Sequence, residues 1–303
     1  MSDRDETTSR RRILKAGMLA AGMMAAGRPV FGAEESAGAG DKPRLFGAIG
    51  MTGPVDRAAA LKQMGVEFLT VPTNHLLVPD QPEEKFLPLM EQALASPLPV
   101  LACGGFIRPA HLICVGPQAN HDQVLEWSAI CFERLKRVKA RFMVFGSSGT
   151  RRVPDGWPRE KAVDQFVDLL ARMGPLAAEH GVCVAVEQLR AEECNFINHI
   201  RDAAAIVRAA KHPQIRLLAD FHHMAVGGDT PDDLRAAMDV IVHSEIAEKA
   251  ERSYPGVKGD DFRPYFRVLR ECGYQGAVSI EGKGEENQVA AAIREIARQA
   301  AES

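Results

Sequence analysis

From residue 44 onward the chain alternates short runs of consecutive apolar residues with longer stretches in which apolar positions recur every three or four residues. A short apolar run bounded by turn residues predicts a strand buried on both faces, and the longer period predicts an amphipathic helix. Strands are therefore expected at 44–49, 66–71, 100–103, 142–146, 182–187, 215–220, 240–245 and 277–281. Helices are expected at 56–64, 122–139, 159–180, 198–211, 260–272 and 287–301. Thr230-Pro231-Asp232-Asp233 reads as a helix start, with threonine at the cap, proline at the first helical position and acids in the first turn. Gly65, Gly181 and Gly273 stand where helices would stop.

Strands alternating with helices indicate a parallel sheet, and eight such units are the number that closes a (β/α)8 TIM barrel. A doubly wound sheet would usually have fewer strands and a nucleotide-type glycine loop after the first. The glycines of Gly47-Ala48-Ile49-Gly50-Met51-Thr52-Gly53 do not have the G-x-G-x-x-G spacing. The fold class expected is therefore α/β, as a closed barrel.

The length of 303 residues would suggest two domains, but the N-terminus changes that arithmetic. Residues 9–15, Ser-Arg-Arg-Arg-Ile-Leu-Lys, precede an apolar run at 16–26 that is interrupted only by glycine. That run is too short to span roughly 30 Å of hydrocarbon as a stable helix, so no stable membrane anchor is expected. The S-R-R-x-[IF]-L-K order resembles a twin-arginine export signal, which implies removal of residues 1–33, with cleavage as late as 39, and a periplasmic or otherwise exported protein. A single barrel at 42–303 then accounts for the rest. The full chain has a formal net charge of −3. Without residues 1–33 it keeps 31 basic and 37 acidic residues, a net of −6. No basic field is left to hold a phosphate backbone, which argues against nucleic acid as a partner. The six cysteines form no C-x-x-C pair and are expected to be mostly buried thiols.

Candidate chemistry lies at the ends of the late strands, where a TIM barrel carries its catalytic groups. The runs ending in Glu187, Asp220, Glu245 and Glu281 each place an acid after apolar residues. Any one of these acids also fits a helix N-cap or a loop salt bridge. Four at one barrel mouth would repel each other unless a divalent cation neutralised them.

Several segments together carry a family resemblance. Residues 187–198, Glu-Gln-Leu-Arg-Ala-Glu-Glu-Cys-Asn-Phe-Ile-Asn, resemble the E-P-L-N-R-x-E-x-N-F-L-N segment of sugar phosphate isomerase/epimerase-like proteins. These belong to the xylose isomerase-like TIM-barrel superfamily. Further matches are Val144-Phe145-Gly146-Ser147-Ser148-Gly149, Leu218-Ala219-Asp220-Phe221-His222-His223-Met224, Ile246-Ala247-Glu248-Lys249 and Gly273-Tyr274-Gln275-Gly276 leading into Glu281.

The resemblance implies a divalent metal held by Glu187, Asp220, a third-strand ligand and Glu281. The family pattern at the third is H-x-H-[IV]-[AG]-E, whose second histidine binds. Here His243 takes the first position and Glu245 the second, so either Glu245 replaces the imidazole, with His243 as the other candidate, or the metal has been lost. All-oxygen ligation favours Mn²⁺ or Mg²⁺, with Co²⁺ or Zn²⁺ as alternatives. By the same resemblance Glu187 and Glu281 remove and return a proton beside a sugar carbonyl through an enediolate, while His223, Arg252 and Glu193 hold substrate oxygens. Glu248 and Lys249 read as a solvated pair outside the site. His75 and Gly104-Gly105 stand where relatives carry acidic or polar residues, which would widen the pocket for a bulkier sugar derivative. The function implied is a sugar isomerase or epimerase. A lyase of the same superfamily, cleaving a 3-keto-glycoside or dehydrating a keto-inositol, and a non-catalytic sugar-binding barrel are the alternatives. Relatives often form dimers or tetramers, so a homo-oligomer is a further expectation.

Overall fold

The computed structural model describes residues 44–303. The export signal expected at 1–33 lies outside the described residues. Strands β1 (Ile49–Thr52), β2 (Leu69–Pro72), β3 (Val100–Gly104), β4 (Phe142–Phe145), β5 (Cys183–Glu187), β6 (Ile215–Asp220), β7 (Ile241–Ile246) and β8 (Val278–Ile280) pair in chain order. Strand β8 returns to β1 through Ile49–Val278 and Met51–Ile280 partners, closing a parallel barrel. The connections carry helices α1 (Ala58–Gln63), α2 (Glu83–Ala95), α3 (His121–Arg137), α4 (Arg159–His180), α5 (Ile200–Ala209), α6 (Phe221–Gly227), α7 (Pro231–Ala237), α8 (Arg263–Glu271) and α9 (Val289–Glu302). No helix among the described residues is long and apolar enough to cross a membrane.

Two apolar layers follow from the two-residue alternation of a strand. Met143, Phe145, Val184, Val186 and Leu217 point outward into the core shared with the helices, among Phe132, Phe166, Leu169 and Ile200. Phe142, Val144, Cys183, Ala185, Leu218 and Ala277 point inward with Phe68 and fill the barrel. Continuing the inward count by two gives Glu187 after Ala185, Asp220 after Leu218, Glu245 after His243 and Glu281 after Ser279. Strand periodicity thus aims all four acids at the barrel axis. Gly50 has no Cβ, and one there would collide with the Phe68 ring.

The barrel floor is an aromatic plug. His243 is fully buried, stacks on Phe142 at 5.3 Å and lies 6.0 Å from Phe68. Burial pushes its pKa down to about 4, so the ring is neutral. Thr70 donates a hydrogen bond to Ser279 across the interior at 3.1 Å.

Element boundaries depart from expectation where apolar residues face something other than a strand neighbour. The expected first strand at 44–49 begins instead at Ile49. Phe46 packs edge-on against Phe266 at 5.2 Å, so its hydrophobicity serves the outer core below the barrel. The second strand starts at Leu69, because Val66 still donates to Leu61 O in the turn after α1. Helices α2 and α6 fall outside the expected stretches; α2 contains Pro88, which interrupts its helical reading. Thr230 forms the expected capping box with Asp233 at the start of α7. Cys103, Cys114, Cys131, Cys183 and Cys194 are buried free thiols, and Cys272 is exposed. Burial pushes Cys114 and Cys183 up to about 12, which keeps them unreactive.

Candidate active site

The carboxylates of Glu187, Asp220, Glu245 and Glu281 meet at the carboxyl-end mouth of the barrel. One oxygen from each lies within 4.8 Å of the other three. Ligand oxygens on opposite sides of a hard divalent cation are separated by about 4–5 Å, twice the metal–oxygen distance, so this donor set fits such an ion. The register pairs Asp220 with Glu245, which sets these two acids at one height. His243, two residues lower on β7, belongs to the floor, so Glu245 and not His243 is the residue that β7 delivers to the cluster.

The site is deep and crowded with charge. Asp220 is 1% exposed and Glu245 2%, and Glu281 is the most open of the four. Burial, reinforced by Glu281, Glu187 and Asp220, pushes the Glu245 carboxyl well above the usual range. Glu281 rises to about 8 through burial and the nearby Glu187, with Arg252 opposing. Asp220 behaves differently. Burial would raise it, but His223 and Arg252 hold it below the usual range. Its Oδ1 also accepts from His223 N at 3.0 Å and caps α6, so this acid is both an N-cap and a member of the cluster.

His223, Arg252 and Glu193 all reach the cluster. His223 Nδ1 accepts from Arg190 N at 3.3 Å, which leaves the proton on Nε2, 3.3 Å from Glu187 Oε1 and 3.5 Å from Asp220 Oδ2. Burial opposes charge on this ring, while the neighbouring Asp220 and Glu187 carboxylates favour it. Arg252 Nη2 bridges Asp220 Oδ2, at 3.1 Å, and Glu281 Oε2, while Nη1 lies 3.4 Å from Glu193 Oε1. All seven residues singled out from the sequence therefore stand in one connected group.

Other parts of the site were not among the residues assigned a role from the sequence. Gly146 follows β4, and a Cβ there would collide with Glu187 Oε2, so the glycine makes room for the carboxylate. Arg151 is fully buried and donates to Phe145 O at 3.2 Å and Glu187 O at 2.7 Å, tying the ends of β4 and β5 together. Arg190 donates through Nε to Glu193 Oε1 at 2.8 Å, and its Nη1 lies 3.4 Å from His222 Nε2. Glu248 corrects the expected solvated pair, because it is fully buried while Lys249 is exposed. Its carboxylate accepts backbone N–H groups from Gly256 at 2.8 Å, Gly259 at 2.9 Å and Asp260 at 3.2 Å, and the Ser253 hydroxyl at 3.0 Å. Burial is affordable for this acid because the loop after β7 wraps its amides around it. That loop carries Arg252, whose φ of 54° lies in the left-handed region.

Comparison with known proteins agrees with the barrel fold. The profile of a family described as “Xylose isomerase-like TIM barrel” matches residues 55–302. A 3-dehydro-D-guloside 4-epimerase of Escherichia coli is 30% identical over 129 residues, 42% of this chain and 49% of that protein. An inosose isomerase of Halalkalibacterium halodurans is 30% identical over 126 residues, 38% of this chain and 44% of that protein. The chain spans about half the length of the curated relatives it matches. The crystal structure of an E. coli 3-keto-D-glucoside 4-epimerase in its apo form aligns with a TM-score of 0.67 and 21% identity, over 81% of this chain and 97% of that one; this likeness concerns the fold.

Proposed function

The chain belongs to the xylose isomerase-like TIM barrel family, and from that premise we propose that it is a divalent-metal-dependent isomerase or epimerase of a sugar or sugar derivative. The observation that carries this reading is the meeting of four strand-end carboxylates within 4.8 Å at the barrel mouth. Glu187, Asp220, Glu245 and Glu281 would hold the ion, and their all-oxygen donor set suits Mn²⁺ or Mg²⁺, with Co²⁺ or Zn²⁺ as alternatives. When bound, the ion supplies electrophilic stabilisation of negative charge developing on a substrate oxygen.

The proton chemistry belongs to the chain's own residues. Glu187 and Glu281 come from strands three places apart in a ring of eight, so they reach the mouth from different sides. One removes a proton from the carbon beside the carbonyl, and the other returns it. Return to the same carbon from the opposite side gives epimerisation, and return to the neighbouring carbon gives isomerisation. His223, through Nε2–H, and Arg252 donate to substrate oxygens, while Glu193 accepts from a sugar hydroxyl. The matched relatives that act on keto-glycoside and inosose substrates support a sugar-derived carbonyl compound here. Residues 9–15 support action outside the cytoplasm after twin-arginine export.

The test is hydrogen exchange in D₂O across keto-sugars and 3-keto-glycosides, with the protein loaded with Mn²⁺ or Mg²⁺. Deuterium entry beside the carbonyl, lost in Glu281→Gln, is the expected result. No exchange with any of these substrates overturns the reading, and release of an aglycone redirects it to a lyase.

A further inference from the structure

The ends of neighbouring strands are joined by side chains as well as by the sheet ladder. Arg151, in the loop after β4, donates through Nη2 to Glu187 O on β5 at 2.7 Å. Gln188, the first residue after β5, donates through Nε2 to Asp220 O on β6 at 3.0 Å. His222, which follows β6, donates through Nδ1 to Glu248 O just beyond β7 at 2.9 Å. Arg252, in the loop after β7, donates through Nε to Glu281 O beyond β8 at 3.0 Å. All four contacts run the same way round the barrel, from the loop after one strand to the end of the next. Three of the four carbonyls belong to acids of the cluster. Outside the charged half, Thr73 after β2 makes the same kind of contact to Gly104 O of β3 at 2.8 Å, where no acid stands. Gln188 isolates the effect best, because Arg252 also binds the carboxylates themselves. The Gln188 side chain is fully buried, and its Oε1 has no hydrogen-bond partner among the described residues. A buried amide with an unmet acceptor costs stability that an apolar side chain of similar size would not. What it contributes is the donor aimed at the Asp220 backbone.

We infer that Gln188 is a positioning residue that holds the backbone of Asp220 in the cluster, as Arg151 holds Glu187 and Arg252 holds Glu281. Four carboxylates with oxygens within 4.8 Å of one another repel, and strand ends that are free to move relieve the repulsion by splaying apart. A donor on each carbonyl resists that movement and leaves the carboxylate oxygens of Asp220 and Glu187 open to a cation. Asp220 is the most sensitive of the three, because its Oδ1 also caps α6 through His223 N at 3.0 Å. A shift of its backbone therefore disturbs the helix start and the cluster together. The inference rests on the proposed function for the presence of a metal, but the hold on Asp220 is also read without one.

Gln188→Met tests it, since methionine keeps the volume and removes the donor. Mn²⁺ affinity in this variant is expected to fall about 10–100-fold, the usual consequence of losing a group that orients a metal ligand. In the metal-free protein the His223 amide, held by Asp220 Oδ1, is expected to exchange with D₂O about tenfold faster by NMR. Thr73→Val is the control. It removes the same kind of contact where no acid stands, and both readings are expected to stay near their wild-type values. A role confined to joining strand ends would instead make the two variants alike. Gln188→Asn draws the amide back by one carbon, is expected to move both readings in the direction of Gln188→Met, and carries the test if the methionine variant does not fold. Unchanged Mn²⁺ affinity and unchanged His223 exchange in the Gln188 variants, or equal losses in Thr73→Val, overturn the inference. A wild-type chain that binds no Mn²⁺ removes the proposed function alone, and faster His223 exchange in Gln188→Met then still supports the hold on Asp220.

Discussion

The two halves of the barrel obey one alternation and end differently. On β1 to β4 the inward residues at the mouth are Thr52, Pro72, Gly104 and Gly146; from β5 to β8 they are Glu187, Asp220, Glu245 and Glu281. The first set gives space, and the second gives charge. The halves also depend on each other, since Gly146 of the open half leaves the room that Glu187 of the charged half occupies. A TIM barrel mouth can therefore concentrate chemistry on half of its circumference and leave the remainder for the body of a ligand.

The largest expected effect comes from neutralising the charged half. Glu187→Gln and Glu281→Gln should each lower proton exchange by about 10²–10⁴-fold, the range for loss of a positioned acid or base. Circular dichroism and urea unfolding should show that the fold survives. Next is Glu248→Ala, which removes the shared acceptor of the loop after β7 and strands buried backbone donors. A loss of about 2–4 kcal/mol in urea unfolding is expected, with weaker substrate binding through a misplaced Arg252. Glu248→Gln should recover part of both.

A matched glycine pair then separates the halves. Gly146→Ala drives a Cβ into Glu187 and should cost about 1–3 kcal/mol and about 10–100-fold in metal affinity. Gly104→Ala, whose Cβ would meet nothing closer than Thr70 Cγ2 at 4.0 Å, should change stability by about 0.5 kcal/mol or less and leave metal affinity intact. Equal effects would erase the distinction between the two halves.

The smallest effect belongs to the exposed ion pairs outside the barrel. Asp239→Asn, which breaks the pair with Arg208, should cost about 0.2–1 kcal/mol. The hydrogen bond from Arg208 and its charge hold the Asp239 carboxyl below the usual aspartate range. The folded state therefore binds this proton less readily than the unfolded one. Its contribution is present above the ordinary aspartate value and disappears as pH falls through the lower folded value. Unfolding midpoints of wild type and variant should converge in acid.

What could be read from the sequence follows the same division. The barrel and the four acids were legible because strand alternation is local and each acid ends an apolar run. Glu245 could be separated from His243 only once the register placed the histidine against Phe142 in the floor. The roles of Glu248, Arg151 and Arg190 had no local signal. Their partners are loop amides, carbonyls and side chains set by how loops close over the mouth, and an acid followed by a lysine has the same pattern whether solvated or buried. The start of β1 was misplaced for a related reason, since Phe46 is equally apolar whether it faces a strand or Phe266 below it.

The central claim is that the charged half is a cation site completed by Glu245. Metal content per chain after equilibration with Mn²⁺ and dialysis, in wild type and Glu245→Gln, tests it most directly. The account predicts about one ion per wild-type chain and a loss of about 10–100-fold in affinity in the variant. A wild-type chain that retains no metal, or a variant that binds as tightly as wild type, would contradict it.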